Sequence, residues 1–133
     1  MRLSRKSEYA LLALISLAKN YNSKLMTITQ LSKLNEIPQK YLEQILVLLK
    51  RSGYVRSVRG PKGGYKLAKS PNLITLAEIV RSIDGPLAPV NSTSVHYFTH
   101  TPIEKNKNLH KLFKEIRDYV SSKLENTTLK NLL

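Results

Sequence analysis

From Gln44 to Ala77 the chain has no acidic residue, yet Lys50, Arg51, Arg56, Arg59, Lys62, Lys66 and Lys69 all fall inside that stretch. The chemistry such a strip can do is neutralisation of a polyanion. Its densest part is RGPKGGYKLAKS, Arg59 to Ser70, which holds three of the chain's five glycines and four basic residues. Gly63 and Gly64 are expected to give a turn without side chains, so that backbone can approach a phosphate or a narrow groove. Arg59 and Lys62 bracket the pair, and arginine is the side chain that a narrow, electronegative minor groove attracts. Lys66, Lys69 and Arg56 would then touch phosphates and fix register rather than sequence.

A second set lies in PQKYLEQILVLLKRS, Pro38 to Ser52. Leu42, Ile45, Leu46 and Leu49 recur at i, i+3, i+4 and i+7, which predicts a helix with those four on its core face. Lys40, Gln44, Val47 and Arg51 then share the opposite face, with Tyr41 and Leu48 on one flank. Gln, Arg and Lys are side chains that read base edges in the major groove, and an apolar one suits a thymine methyl. Alone, such a face could equally be a solvated one. Overlapping the start of the acid-free basic strip, it reads as a DNA-reading face.

Other chemistries are poorly served. Nine Asp and Glu stand against 22 Lys and Arg, giving +13 and a pI near 10, and the carboxylates are scattered. No histidine pairs with an obvious nucleophile, and GPKGG lacks the spacing and Lys-Ser/Thr ending of a phosphate loop. No enzyme is expected. The chain has no cysteine, so disulfides and thiolate metal sites are excluded. His96, His100 and His110 lie in or beside an irregular stretch and are read as solvated, so no metal is expected. The run ALLALISLA after Arg2, Arg5 and Lys6 mimics a secretion signal, but Glu8 abuts it and no cleavage motif follows. It is also too short for a membrane span, and is read as a buried helix of a protein working in the cytoplasm.

The elements that must position these groups can be placed in order. A helix is expected from about Ser4, as N-cap, to about Asn20, apolar on most sides. Thr27 and Gln30 form a capping box for a short second helix. Pro38 suits the first turn of the third, which stops at Gly53. Tyr54 to Val58 and Tyr65 to Ala68 predict two strands around the glycine turn, so a helix-turn-helix would be followed by a wing. Thr75 and Glu78 form another capping box, for a helix ending before Gly85. Residues 86–107 read as irregular. Leu109, Leu112, Phe113, Ile116, Tyr119, Val120 and Leu124 then make an apolar stripe on a last helix. At 133 residues the chain is one structural domain, subdivided into 1–85 for DNA binding, a variable loop 86–107, and 108–133 for dimerisation. The fold class is mainly α with a small β-hairpin wing.

Five segments, MRLSRKSEYALLAL, IPQKYLEQIL, RGPKGGYKLA, TLAEIVRSIDGPLAPV and RDYVSSKLENTTLKNL, resemble the Rrf-two family of bacterial transcription regulators. The match covers nearly the whole chain in order, apart from about residues 91–107. The resemblance implies a homodimer of winged helix-turn-helix domains, crossed by long C-terminal helices, that binds an inverted repeat in double-stranded DNA and acts most often as a repressor. The DNA-contacting candidates are then Arg2, Ser4, Gln39, Lys40, Tyr41, Gln44, Val47, Arg51, Arg56, Arg59, Lys62, Gly63, Gly64 and Lys66, and the apolar stripe becomes the dimer interface. Many family members hold an iron–sulfur cluster with three cysteines in the loop after the DGPLAPV-like segment. Here that loop reads NSTSVHYFTHTPIEKNKN. Glu8 matches a carboxylate that completes the site in some relatives, but one carboxylate cannot replace soft sulfur donors. No cofactor is therefore expected, Glu8 is read as structural at the positive end of the first helix, and control passes to a small molecule or a regulatory protein. The alternative is a module whose helix-turn-helix docks a partner protein instead of DNA, against which the acid-free strip counts.

Overall fold

The computed structural model describes residues 2–133. Helix α1 spans Arg5–Lys19. Ser4 caps it, its hydroxyl accepting the Ser7 amide at 3.1 Å, and Asn20 closes the other end. Helix α2 covers Ile28–Asn35 behind the expected capping box: Thr27 Oγ1 accepts the Gln30 amide at 3.1 Å, and Gln30 Oε1 accepts the Thr27 amide at 2.9 Å. The chain then reverses through Glu36, a non-glycine residue in the left-handed region at φ 54°. Two bonds between Ser32 and Ile37 pin this turn: the Ile37 amide donates to Ser32 O at 3.0 Å, and Ser32 Oγ to Ile37 O at 2.5 Å. Helix α3 spans Gln39–Arg51. Pro38 sits at its N-cap with extended ψ, one position before the first turn expected for it. Gly53, at φ +85°, takes the chain out of the helix, as its place after the C-cap requires.

Strands β1 (Val55–Val58) and β2 (Gly64–Leu67) pair antiparallel, Val55 opposite Leu67 and Val58 opposite Gly64. β1 starts one residue later than expected and β2 is shifted by one toward the turn, running from Gly64 to Leu67, with Tyr54 and Ala68 joined just beyond the ladder by a single backbone bond of 2.9 Å. Met26 extends the hairpin from the far side, exchanging two backbone bonds with Tyr65 at 3.0 and 2.7 Å. Both glycines of the turn face inward, for a reason the sequence did not disclose. A Cβ on Gly63 would lie 2.0 Å from the Val58 carbonyl oxygen, and one on Gly64 would lie 2.7 Å from that of Met26. The hairpin itself requires them, whatever docks outside it.

One main core unites these parts. Ala10, Ala13, Leu14 and Leu17 of α1 meet Leu31, Ile37, the α3 residues Leu42, Ile45, Leu46 and Leu49, and Val55 and Leu67 of the hairpin. The near-complete burial expected for α1 is only partial, since Leu12 is 42% exposed. Helix α4 (Leu76–Asp84) opens with the second capping box. Residues 86–107 contain two 3-10 turns, Asn91–Thr93 and Pro102–Lys105, with Ser92, Thr93 and Ser94 buried. Helix α5 spans Lys107–Glu125. Beyond it the tail turns back into the core: Leu129 is fully buried, its amide bonds to Ile74 O at 3.0 Å, and the Leu76 amide bonds to Thr127 O at 2.8 Å.

Candidate nucleic-acid interface

Helix α3 divides as its spacing requires. Leu42, Ile45, Leu46 and Leu49 are buried, so Lys40, Gln44, Val47 and Arg51 are left in an exposed row, Val47 at 54%. Gln39 is exposed at the helix start. Tyr41 is only half-exposed, because its ring packs edge-to-face on Tyr9 of α1 at 5.6 Å between centroids. That contact leaves it a flank residue, locking α3 against α1.

Strand alternation sends Val55 and Leu67 into the core and Arg56 and Lys66 to the exposed face of the hairpin. The register sets Arg56 directly opposite Lys66. Two like charges across a ladder repel, and no carboxylate relieves them: none of Lys40, Arg51, Arg56, Arg59, Lys62 and Lys66 has an ion-pair partner among the described residues. Arg59 and Lys62 stand exposed at the tip. The base of the wing is tied down. Lys69 Nζ lies 5.0 Å from the centre of the Tyr54 ring. Burial, and then the neighbouring Glu78 carboxylate, push the Tyr54 phenol up to about 12. Partial burial opposes ionisation of Glu78, but the Thr75 amide, the Tyr54 and Thr75 hydroxyls and the Lys69 charge together hold it below its usual range. Glu78 thus serves both the α4 capping box and the foot of the wing.

Arg2 is exposed, whereas Ser4 is engaged inside the molecule. Its amide donates to Asp84 Oδ2 at 2.9 Å and its hydroxyl to Asp84 Oδ1 at 2.5 Å. Partial burial would raise the Asp84 carboxyl, but the two Ser4 donors and the Lys6 charge nearby outweigh it and hold the group low. Glu8 pairs on the surface with Arg5 at 3.3 Å.

Glu43 escaped the sequence reading. It is exposed on α3 beside Gln44 and has no ion-pair partner among the described residues. A carboxylate there is unfavourable near phosphate, but it is the acceptor that cytosine N4 requires. The signal available was its position, three residues after Lys40 and next to the reading row.

The apolar stripe of α5 separates into two rows. Phe113 and Val120 are half-buried, and Leu124 packs on both clusters of the chain's own core. Leu109, Leu112, Ile116 and Tyr119 are 40%, 49%, 40% and 75% exposed. Their 3, 4, 3 spacing is the a/d repeat of a helix that packs on another helix.

The profile of the family described as "Rrf2: Iron-dependent Transcriptional regulator" matches residues 3–133. The HTH-type transcriptional regulator CymR of Bacillus subtilis is 33% identical over 132 residues, 99% of this chain and 89% of its own length. The solved structure of CymR, the global cysteine regulator of B. subtilis, superposes with a TM-score of 0.81 at 32% identity, covering 99% of this chain and 95% of that one. The regulator IscR of Cronobacter sakazakii is 32% identical over 133 residues, all of this chain and 80% of its own. The iron in the family description prompts a test of the donors present. With no cysteine in the sequence, the loop after Val90 offers hydroxyls and imidazoles, of which Ser92 Oγ is bonded to Thr101 Oγ1 and His100 Nδ1 to Glu104. No group of three potential His, Cys, Asp or Glu ligands gathers among the described residues. The residues present do not fit a thiolate-held iron–sulfur cluster.

Proposed function

The chain belongs to the Rrf2 family of DNA-binding transcriptional regulators, and from that premise we propose that it is a homodimeric repressor of the cytoplasm that binds an inverted repeat and is controlled through residues 86–107. The observation that carries this reading is the Arg56–Lys66 pair, two unneutralised cations facing each other on the exposed face of the wing. A phosphate between them would turn a repulsive contact into an attractive one. Each protomer sets α3 in a major groove, where Lys40, Gln44, Glu43, Val47 and Arg51 meet base edges. Arg59 and Lys62 reach the adjoining minor groove, and Arg2 approaches the flanking backbone. Gly63 and Gly64 shape the turn that presents them. No described helix is long and apolar enough to cross a membrane.

In this reading, residues 1–85 carry DNA contact, and the helix of segment 108–133 carries dimerisation through Leu109, Leu112, Ile116 and Tyr119, with Phe113, Val120 and Leu124 seating α5 on its own protomer and the tail packed into that protomer's core. The variable loop 86–107 lies between the two functions and is where a small molecule or regulatory protein acts. The test is sedimentation of the protein with duplexes that carry one or two half-sites. Two protomers on the two-half-site duplex is the expected stoichiometry; a single protomer that binds both duplexes equally well would overturn it.

A further inference from the structure

We propose that the cleft between the last turns of α4, the loop that follows it and the C-terminal half of α5 is the effector site, and that its ligand is a compact organic carboxylate. The proposal deepens the effector-controlled reading above and rests on it.

The cleft has a volume of about 190 Å³. That is below the roughly 300–1,000 Å³ of sites for drug-sized ligands, so a nucleotide is too large for it. Pro86, Leu87, Ala88 and Val95 supply an apolar wall, and Arg81 and Arg117 supply charge. The Arg81 guanidinium is paired through one nitrogen, Nη2 lying 2.6 Å from Glu125 Oε1. The Arg117 side chain is 17% exposed; Nη1 donates to Thr93 O at 2.8 Å, and Nη2 lies 2.5 Å from Asp118 Oδ1. Its Nε is buried without a hydrogen-bond partner among the described residues.

A buried N–H without an acceptor is disfavoured, and native structures seldom keep one without a reason. Arg117 lines the cleft, so a ligand held there would bring an acceptor oxygen to this guanidinium with a small rotation of the side chain. Each guanidinium at the cleft already has one carboxylate, Glu125 on Arg81 and Asp118 on Arg117. It is therefore the unpartnered Nε–H, not a surplus of charge, that calls for an acceptor, and carboxylate oxygens suit the guanidinium fork. The hydrocarbon wall argues against a bare inorganic oxyanion, whose faces would be dehydrated there without partners. A carboxylate on a short carbon chain matches both halves.

The cleft is connected to the DNA-binding parts. Arg81 lies one turn before the end of α4, and its carbonyl accepts the Gly85 amide at 3.0 Å. Asp84, in that same turn, holds the N-cap of α1. A ligand that competes with Glu125 for Arg81 therefore acts on the turn that anchors the N-terminal arm.

The test is thermal unfolding of the full-length protein at fixed ionic strength, with acetate, butyrate, succinate and glutarate each at about 10 mM, against sulfate and neutral butyramide. At least one carboxylate should raise Tm by about 3 °C or more while sulfate and butyramide do not. Arg117→Gln should weaken the midpoint of that response at least about tenfold. Should that variant fold poorly, Ser121→Leu, which fills the cleft from α5 without removing an Arg117 bond, should abolish the response and leave operator binding without ligand unchanged. No shift with any carboxylate, an equal shift with sulfate, or a response that survives both variants would overturn the site. Operator binding, measured in parallel without ligand, separates that result from failure of the regulator reading, which would remove DNA affinity itself.

Discussion

Ser4 and Asp84 lie 80 residues apart in sequence and are joined by two bonds, amide to Oδ2 at 2.9 Å and hydroxyl to Oδ1 at 2.5 Å. One carboxylate at the end of α4 thereby fixes the residue that caps α1. Replacing Asp84 by Ala should lower stability by about 1 kcal/mol at pH 7, the scale of a lost cap. The carboxyl is held below its ordinary value in the folded protein. Its contribution is therefore fully present above the unfolded aspartate value near 3.9, and disappears as pH falls through the lower folded one. Urea unfolding of wild type and variant should differ at pH 7 and converge near the acid limit of folding.

The wing turn gives a second test. With a Cβ on Gly63 only 2.0 Å from the Val58 carbonyl oxygen, Gly63→Ala must push the strands apart, at a cost of about 1–3 kcal/mol. Tm should fall by several degrees, and DNA affinity should drop although no cation has been removed. Gly60 has open space around its Cβ position but a φ of +113°, so alanine there should cost less, through backbone strain alone. Equal Tm values for the two variants would contradict the inward role of Gly63.

Base reading and phosphate contact should separate in binding data. Gln44 is exposed, so Gln44→Ala should leave Tm unchanged and reduce discrimination at one position per half-site by about 1–3 kcal/mol. Lys66→Ala should weaken all sequences alike. If each protomer neutralises about five phosphates, the log–log salt slope is near −9 per dimer, and removing Lys66 should make it shallower by about 2. Competition titrations with operator variants at several salt concentrations read both quantities.

The two rows of α5 predict opposite phenotypes. Ile116 is 40% exposed in the single chain, so Ile116→Asp should leave the fold intact and shift sedimentation from dimer to monomer. Leu124 packs on the chain's own core, so Leu124→Asp should unfold the protein by burying an unpaired charge. A dimer that survives Ile116→Asp would remove the exposed row from the interface.

Local signals made most of the fold legible. Both capping boxes, the i, i+3, i+4, i+7 core face of α3 and the glycine-rich hairpin depend on neighbours within a few residues, and each stands where the spacing predicts. Long-range partners were not legible. Ser4 could be read as a cap and as a DNA contact, but not as the partner of Asp84. The docking of Leu129 beside Ile74 and the burial of Ser92, Thr93 and Ser94 leave no periodic mark in a polar or irregular stretch. For the candidate site, the side-chain row on α3 and the exposed face shared by Arg56 and Lys66 follow from periods of 3.6 and 2, whereas the pairing of those two residues depends on the hairpin register and was not legible. Nor was the inward role of the two glycines, because the closeness of another backbone is invisible until the chain is folded.

The most direct measurement is selection of genomic DNA fragments by the purified full-length protein at about 0.15 M salt, where non-specific binding is already weakened. Enrichment of an inverted repeat with half-site centres about one helical turn, or a multiple of it, apart is the predicted result. Fragments enriched without a repeated element, or none enriched above background, would contradict a homodimeric, sequence-specific regulator.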